Sequence, residues 1–133
     1  MREILFRGKR EYTGEWIEGY LYITQRGQYE ISRYSKSYDC ERYTSVVIPS
    51  TVGQYTGLTD KNGKKIFEGD IIDTPDRLVK VVWFGGNAQF DLHFIRYKDD
   101  VTTTNFKGIH MRDLKKYEVI GNIYDNKEIL DVK

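Results

Sequence analysis

The sequence predicts a mostly β domain with at most short helical turns. Alanine, the strongest helix former, occurs once in 133 residues, at Ala88. Aromatic residues make up 14% of the chain, and Ile, Val and Thr are frequent. Both side-chain types fit a pleated sheet, so small antiparallel sheets are the expected architecture. The length and the 39% hydrophobic content suit one globular domain rather than a disordered tail.

The N-terminal part of the chain predicts a strand followed by a hairpin. Residues 3–6 form the first candidate strand, and a polar turn is expected at 8–14. Residues 15–23 then alternate, and Ile17 and Leu21 belong to the set expected to point inward. A turn at residues 25–27 leads into a strand at 29–32, which predicts a β-hairpin.

The middle of the chain predicts a surface loop and then the strongest hairpin signal. Residues 35–42 are polar, rich in Tyr and Ser and without a period, which is typical of a loop. A short strand at 45–48 is expected to end at Pro49, because proline lacks a ladder donor. Within residues 54–67, the pair Asn62-Gly63 lies between apolar flanks, and both residues tolerate positive φ, which predicts a hairpin.

The C-terminal part predicts several short strands joined by tight turns. One helical turn is expected at residues 111–116, and Asp125 or Asn126 is expected to cap a terminal turn that runs to residue 130. Five short strands over about 60 residues predict a small barrel. The four strands and the turn that follow the central hairpin are expected at residues 70–73, 78–84, 89–97 and 117–124, with the turn at 85–87.

Charge and cysteine content narrow the classes of function and compartment. The chain has 21 basic and 20 acidic side chains, so its net charge of +1 gives no bulk attraction to phosphate. One cysteine, Cys40, cannot close an intramolecular disulfide, and the bacterial cytoplasm is the expected compartment. The first residues lack the long apolar region of a signal peptide, and no later stretch predicts a membrane span.

Three segments resemble the YopX family of small phage and prophage proteins. They are REILFRG at residues 2–8, TVGQYTGLTDKNGKKIFEGDII at 51–72 and EVIGNIYDN at 118–126. The resemblance extends in order from residue 2 to about residue 130. It implies a single YopX-like domain over residues 1–133, with an N-terminal β-hairpin subregion at 1–50 and an SH3-like barrel at 51–133. It implies no established activity, so it assigns no catalytic residues.

Several motif residues are interpreted as structural. Glu68, Asp70, Asp73 and Asp76 could form a carboxylate cluster for a divalent metal, but Gly69 and Asp70 also suit a turn, and we expect the turn. One Cys and two isolated His lack the spacing of a zinc site, so no metal or other cofactor is expected. The positions interpreted as structural are Gly57, Asn62, Gly63, Gly69, Asp70 and Gly121.

Catalysis is the weakest of the functional hypotheses. Asp91 and His93 are expected on one face of a strand, and a pocket joining them with His110 is the only acid–base arrangement that the sequence offers. Residues two apart on a strand meet on any solvated sheet, and no Ser or Cys nucleophile is identifiably placed near them. The sequence therefore predicts a protein without a reaction of its own.

Single-stranded nucleic-acid binding is the second hypothesis. Aromatic side chains stack bases and basic side chains contact phosphates, and both types are interleaved around the predicted loop. Asp39 and Glu41 lie in the same loop, and the near-neutral net charge also weakens this hypothesis. The candidate residues are Tyr34, Lys36, Tyr38, Arg42 and Tyr43, with Tyr29 and Arg33 beside them.

Protein binding or self-association is the first hypothesis. Alternation places Trp16, Tyr20 and Tyr22 on the face of their strand opposite Ile17 and Leu21. Tyr and Trp are rigid, amphipathic side chains that are enriched in protein interfaces. The expected partner is another protein or a second copy of the chain, with nucleic acid as the alternative and with neither membrane nor small-molecule cofactor.

Overall fold

The computed structural model describes residues 2–33, 44–98 and 108–130. The chain is mostly β, with two antiparallel sheets and very little helix, which confirms the predicted class. It divides into two compact units, Met1–Tyr55 and Thr56–Lys133. That division falls a few residues after the boundary expected at residue 50.

The first unit is a sheet of short strands in the order β4-β3-β2-β1-β5. The β2–β3 hairpin is confirmed, and its turn is closed by the Gly27 N–H, which donates to the Thr24 carbonyl at 2.8 Å. The strands are β1 (Phe6–Lys9), β2 (Trp16–Ile23), β3 (Tyr29–Ser32), β4 (Thr44–Val46) and the start of β5 (Gly53–Thr59), with a 3₁₀ helix at Pro49–Thr51 before β5.

The first unit has its own core. Ile17, Ile31 and Val47 are buried together, as the alternation of β2 predicts for Ile17. The close approach of β2 to β3 depends on Gly19, because a Cβ there would lie 2.1 Å from the Ser32 carbonyl oxygen. Any larger residue at this position therefore collides with the backbone of β3.

Strand β1 lies further along the chain than predicted. The expected strand was 3–6 followed by a turn at 8–14, whereas β1 spans Phe6–Lys9 and pairs with β2. The reason is that Gly8 faces the buried Val47 and Ile31, while Arg7 and Lys9 point to the other face, where Trp16 lies. The charged residues Arg7 and Lys9 can therefore belong to β1, because its inward positions are occupied by Phe6 and Gly8.

The second unit contains the rest of β5 and a four-stranded sheet in the order β10-β7-β8-β9. Among the described residues, the strand pairs do not close this sheet into a barrel. The elements are β6 (Lys65–Phe67), β7 (Asp70–Asp73), β8 (Arg77–Phe84), β9 (Gln89–Tyr97), a 3₁₀ helix (Met111–Lys116), β10 (Glu118–Asn122) and helix α1 (Lys127–Leu130).

The hairpin of β5 and β6 is confirmed, but its geometry differs from the prediction. Gly63 adopts a φ of 81°, whereas Asn62 is not among the residues with positive φ. The Gly63 N–H donates to the Asp60 carbonyl at 3.0 Å, and the Asp60 N–H donates to the Lys64 carbonyl at 2.8 Å. The loop is therefore a turn followed by one left-handed glycine, and only that glycine needs conformational freedom.

The four-stranded sheet is buried on both faces at β7. Adjacent residues of a strand point to opposite faces, yet Ile71 and Ile72 are both fully buried. One face packs Ile72 with Val79, Val81, Val119, Leu114 and Ile66. The other packs Ile71 with Leu78 and Ile95 and with residues from the C-terminal end, Ile123, Ile129 and Leu130.

Strand β9 contains a register shift that alternation alone does not predict. Val79 pairs with Phe94 and Leu78 pairs with Arg96, so Ile95 is the additional residue between the two pairs. Ile95 is buried beside Leu78, whereas Phe94 is 53% exposed. Such a β-bulge redirects side chains at an edge strand.

Strand β10 is shorter than the segment 117–124 predicted for it. It ends at Asn122, whose Oδ1 accepts the N–H groups of Tyr124 and Asp125 at 3.0 and 2.9 Å. Asn126 does not cap α1 with its side-chain oxygen, which instead accepts the Asn122 N–H at 3.1 Å. Hydrogen bonds from backbone N–H groups to the side chains of Asn122 and Asn126 thus stabilise the turn between β10 and α1.

Within the described ranges, the longest stretch of helix is far too short and too polar to cross a membrane.

Candidate functional site

The strongest candidate site is one face of strand β2, which carries Trp16, Glu18, Tyr20 and Tyr22. We call this surface the β2 face. Tyr20 is 62% exposed and Tyr22 is 65% exposed, while Trp16 is half-buried. The alternation of β2 produces this arrangement, because Ile17 and Leu21 on its other face pack in the core of the first unit.

Two cations hold Trp16 at one end of the β2 face. The guanidinium carbon of Arg7 lies 4.7 Å from the Trp16 ring centroid, and Lys9 Nζ lies 5.6 Å from it. The antiparallel register sets this geometry, since Lys9 is opposite Trp16 and Arg7 is opposite Glu18. Arg7 is only 7% exposed, so the indole covers a buried charge as well as forming part of the surface.

The opposite end of the β2 face is acidic. Glu30 of β3 is opposite Tyr22, and Ser32 is opposite Tyr20. The Ser32 hydroxyl lies 2.7 Å from the Thr44 hydroxyl, which ties β3 to β4 on this face. Lys9 therefore lies at the Trp16 end of the face and Glu30 lies at the Tyr22 end, with Glu18 and Tyr20 between these ends.

A shallow concavity adjoins the tyrosines. Its volume is about 430 Å³, and Trp16, Glu18 and Tyr20 line it together with Glu3, Leu5 and Arg33. A recess of this size beside exposed aromatic rings can receive a side chain from another protein surface. The β2 face thus combines aromatic anchors, both signs of charge and a receptive hollow.

The predicted nucleic-acid surface lies outside the described residues. This applies to Tyr34, Lys36, Tyr38, Arg42 and Tyr43. Of their predicted neighbours, Tyr29 is half-buried and packs on the core of the first unit, and Arg33 lines the concavity beside Tyr20. Nucleic-acid binding therefore stays a prediction from the sequence.

The cavity that His110 lines does not bring together the three residues of the acid–base hypothesis. Asp91 and His93 are opposite Val82 and Lys80 of β8, and Asp91 Oδ1 accepts the Leu92 N–H at 2.8 Å. His110 precedes the 3₁₀ helix and lines a cavity that includes neither Asp91 nor His93.

Three of the carboxylates that were weighed against the turn as a metal cluster have separate partners. Asp70 is buried, and its Oδ2 accepts the Phe67 N–H at 2.8 Å beside Gly69, whose φ is 94°. Asp73 pairs with Lys98, and Asp76 pairs with Arg77 through two contacts of 3.0 Å. The Arg77 hydrogen bond holds the pKa of Asp76 below its ordinary value. Across residues 2–33, 44–98 and 108–130, no three His, Cys, Asp or Glu side chains are grouped to hold a metal.

Two of the remaining motif glycines lie within strands. Gly57 has a φ of 89° within β5. Gly121 lies at the register shift of β10, where a Cβ would be 2.2 Å from Asn126 Oδ1. Asp60, which the sequence reasoning missed, holds three backbone N–H groups with its carboxylate. Its position as the first residue of a turn was the available signal.

Comparisons with known proteins agree with this architecture. The family model described as "YopX protein" matches residues 5–131 of the chain. The fold is similar to the crystal structure of protein EF1440 from Enterococcus faecalis, with a TM-score of 0.57 and 22% identity. That likeness covers 98% of this chain and 100% of the other, and at such identity it shows the fold alone. No curated protein matches the chain.

Proposed function

This chain belongs to the YopX family, and we propose that it is a non-catalytic protein-binding module that associates with a second copy of itself through the β2 face. The observation that carries the proposal is the exposure of Tyr20 and Tyr22 beside the held ring of Trp16. Exposed aromatic side chains on a rigid strand give a large contact area at a low cost in conformational entropy.

Charge complementarity favours a second copy as the occupant. The β2 face is basic at Lys9 and acidic at Glu30, so a copy rotated by half a turn brings each basic end over an acidic end. Two-fold interfaces of this kind use the same patch on both subunits. The net charge of +1 adds little repulsion between copies.

The proposal extends to a role as a phage or prophage accessory protein in the bacterial cytoplasm. Its support is the resemblance of the three segments and the single cysteine, Cys40. We also propose an SH3-like arrangement for the second unit. The β5–β6 and β8–β9 hairpins, and a 3₁₀ helix directly before β10, support that arrangement as an analogy of fold.

Sedimentation velocity over a range of concentrations tests self-association. We expect a monomer–dimer equilibrium that weakens as the salt concentration rises, because salt screens the attraction between the oppositely charged ends of the two copies. Tyr20→Ser and Tyr22→Ser, alone and together, are expected to weaken the dimer by about tenfold or more, since buried interface tyrosines often dominate binding.

Tyr12→Ser is the matched control for these variants. Tyr12 is 91% exposed in the same unit but lies in the turn before β2, so its loss is expected to leave the dimer unchanged. Thermal unfolding followed by circular dichroism checks that all four variants, the double variant and the control included, keep the wild-type fold. Trp16 is a poorer choice of variant, because its indole also covers Arg7.

A monomer at every concentration would refute self-association. Affinity recovery of the tagged protein from infected cells, with and without nuclease, then tests a different partner. A recovered protein supports the β2 face as its binding site only when recovery depends on Tyr20 and Tyr22 and not on Tyr12. Recovery that nuclease abolishes would instead support the nucleic-acid hypothesis.

A further inference from the structure

A second concavity lies wholly within the second unit. It has a volume of about 520 Å³, which falls in the range of small-molecule sites. It forms between the turn that joins β7 to β8 and the 3₁₀ helix Met111–Lys116. Its lining includes Pro75, Ile109, His110, Arg112, Lys116 and Tyr117.

The lining of this concavity carries three cations and two carboxylates, which leaves a net positive charge of one. Asp76 neutralises Arg77 through its two 3.0 Å contacts. Asp113 Oδ2 accepts a hydrogen bond from the His110 backbone N–H at 2.9 Å. That hydrogen bond lowers the pKa of Asp113, and the nearby charges of Lys116 and Arg112 lower it further. Arg112 and Lys116 are exposed, and no salt bridge to another described residue engages either of them.

The rest of the lining is largely apolar. Pro75 and Ile109 contribute aliphatic surface, and Tyr117 contributes an aromatic ring that also packs against the core of the second unit. Packing holds the Tyr117 side chain in place, so a contact with it needs little ordering on binding. The concavity thus pairs a cationic rim with a rigid apolar wall.

We propose that this concavity binds a small phosphate monoester that carries a ring, of the size of a mononucleotide. Arg112 and Lys116 contact the phosphate, and the ring lies against Tyr117 and Pro75. Guanidinium groups bind phosphate oxygens with paired hydrogen bonds, and ammonium groups bind them as point charges. A phosphate monoester is an anion at neutral pH, and the net positive charge of the lining attracts it.

Nuclear magnetic resonance titration of the ¹⁵N-labelled full chain with AMP tests the proposal. We expect chemical-shift changes at the backbone amides of Arg77, His110, Arg112 and Tyr117, with saturation at millimolar AMP or below. Inorganic phosphate and adenosine are the two separate probes of the phosphate and the ring. Each is expected to bind more weakly than AMP, because each lacks half of the contacts.

Charge-removing variants on the 3₁₀ helix locate the phosphate. Arg112→Gln with Lys116→Gln is expected to weaken AMP binding by about tenfold or more, through loss of charge-assisted contacts. Lys115→Gln is the matched control, since Lys115 is exposed on the same helix but does not line the concavity. Its removal is expected to leave AMP affinity unchanged.

Three outcomes would overturn the proposal. The first is the absence of shift changes at the lining residues at millimolar AMP. The second is an equal loss of affinity in the Lys115→Gln variant, which would indicate diffuse attraction by surface charge. The third is equal affinity for inorganic phosphate and AMP, which would remove the ring from the site.

Discussion

The Asp60 side chain stabilises the β5–β6 hairpin through hydrogen bonds to backbone groups. Its Oδ1 accepts the N–H groups of Asn62 and Lys64 at 2.8 and 2.9 Å, and its Oδ2 accepts the Val119 N–H of β10 at 3.0 Å. The carboxylate is buried, so these three donors replace the water that it loses. One side chain therefore fixes the turn and also attaches β10 to it.

The Asp60→Asn variant tests this assignment. We expect it to lower the free energy of unfolding by about 2–4 kcal/mol, because the amide nitrogen cannot accept the hydrogen bond that one carboxylate oxygen accepts now. Urea unfolding monitored by tryptophan fluorescence measures the difference. Glu11→Gln, at an exposed position in the first unit, is expected to change stability little.

The pH dependence of the same pair of proteins follows from the pKa of Asp60. Burial acts to raise this pKa, but the N–H groups of Val119, Lys64 and Asn62 outweigh burial and hold it below the ordinary value of 3.8. Because the pKa of Asp60 is lower in the folded state, its carboxylate contributes its full stabilisation at pH values above 3.8, the ordinary pKa. This stabilisation is lost as the pH falls through the folded-state pKa. The stability gap between wild type and Asp60→Asn should therefore narrow below pH 3.8. A gap that stays constant on acidification would contradict the assignment.

At the scale of elements, strand β9 has two features that protect the edge of its sheet. Among the described strands β9 pairs only with β8, so its other side is an edge. The Asp91 carboxylate accepts the Leu92 N–H of the same strand, and a register shift at Ile95 interrupts the ladder. Both features reduce the capacity of an edge to pair with another chain.

Removal of the Asp91 carboxylate should expose that edge. In the Asp91→Ala variant the Leu92 N–H becomes available to another strand, and we expect larger species in sedimentation velocity and faster aggregation on mild heating. His93→Ala is the control on the same face of β9, and it leaves the Leu92 hydrogen bond intact. Equal behaviour of the two variants would show that Asp91 does not protect the edge.

The sequence predicted those elements whose signals are local. Strands β7 and β9 and the 3₁₀ helix Met111–Lys116 have the bounds expected for them. The predicted position of β1 was wrong. Its charged residues, Arg7 and Lys9, adopt a strand because they pack against Trp16. That packing depends on the register between two strands, which the local pattern does not contain.

The same limit applies to the candidate sites. Alternation in β2 was enough to place Tyr20 and Tyr22 on a shared face, because only the period of one strand is needed. The concavity that Arg112 and Lys116 line could not be predicted, since the turn at Pro75 reaches it from a distant part of the sequence. A site that is formed by distant segments of the chain can be identified only when the fold is known.

At the scale of the whole molecule, the chain contains two units with separate cores. The core of the first unit centres on Ile17, Ile31 and Val47. Those of the second unit lie on the two faces of its sheet, around Ile72 and Ile71. Strand β5 is continuous through residue 55, where the units divide. Independent cores predict that each unit can open locally without the other.

Matched core truncations test that independence. Ile31 and Ile72 are both fully buried, so Ile31→Ala and Ile72→Ala should each destabilise the protein by about 2–5 kcal/mol. Hydrogen exchange read by nuclear magnetic resonance should show Ile31→Ala releasing mainly the amides of β2 and β3, and Ile72→Ala mainly those of β7 and β8. The exposed Ile4→Ala substitution is the control and should change neither set. Uniform loss of protection in both truncations would mean that the continuous strand β5 makes the whole chain one cooperative unit.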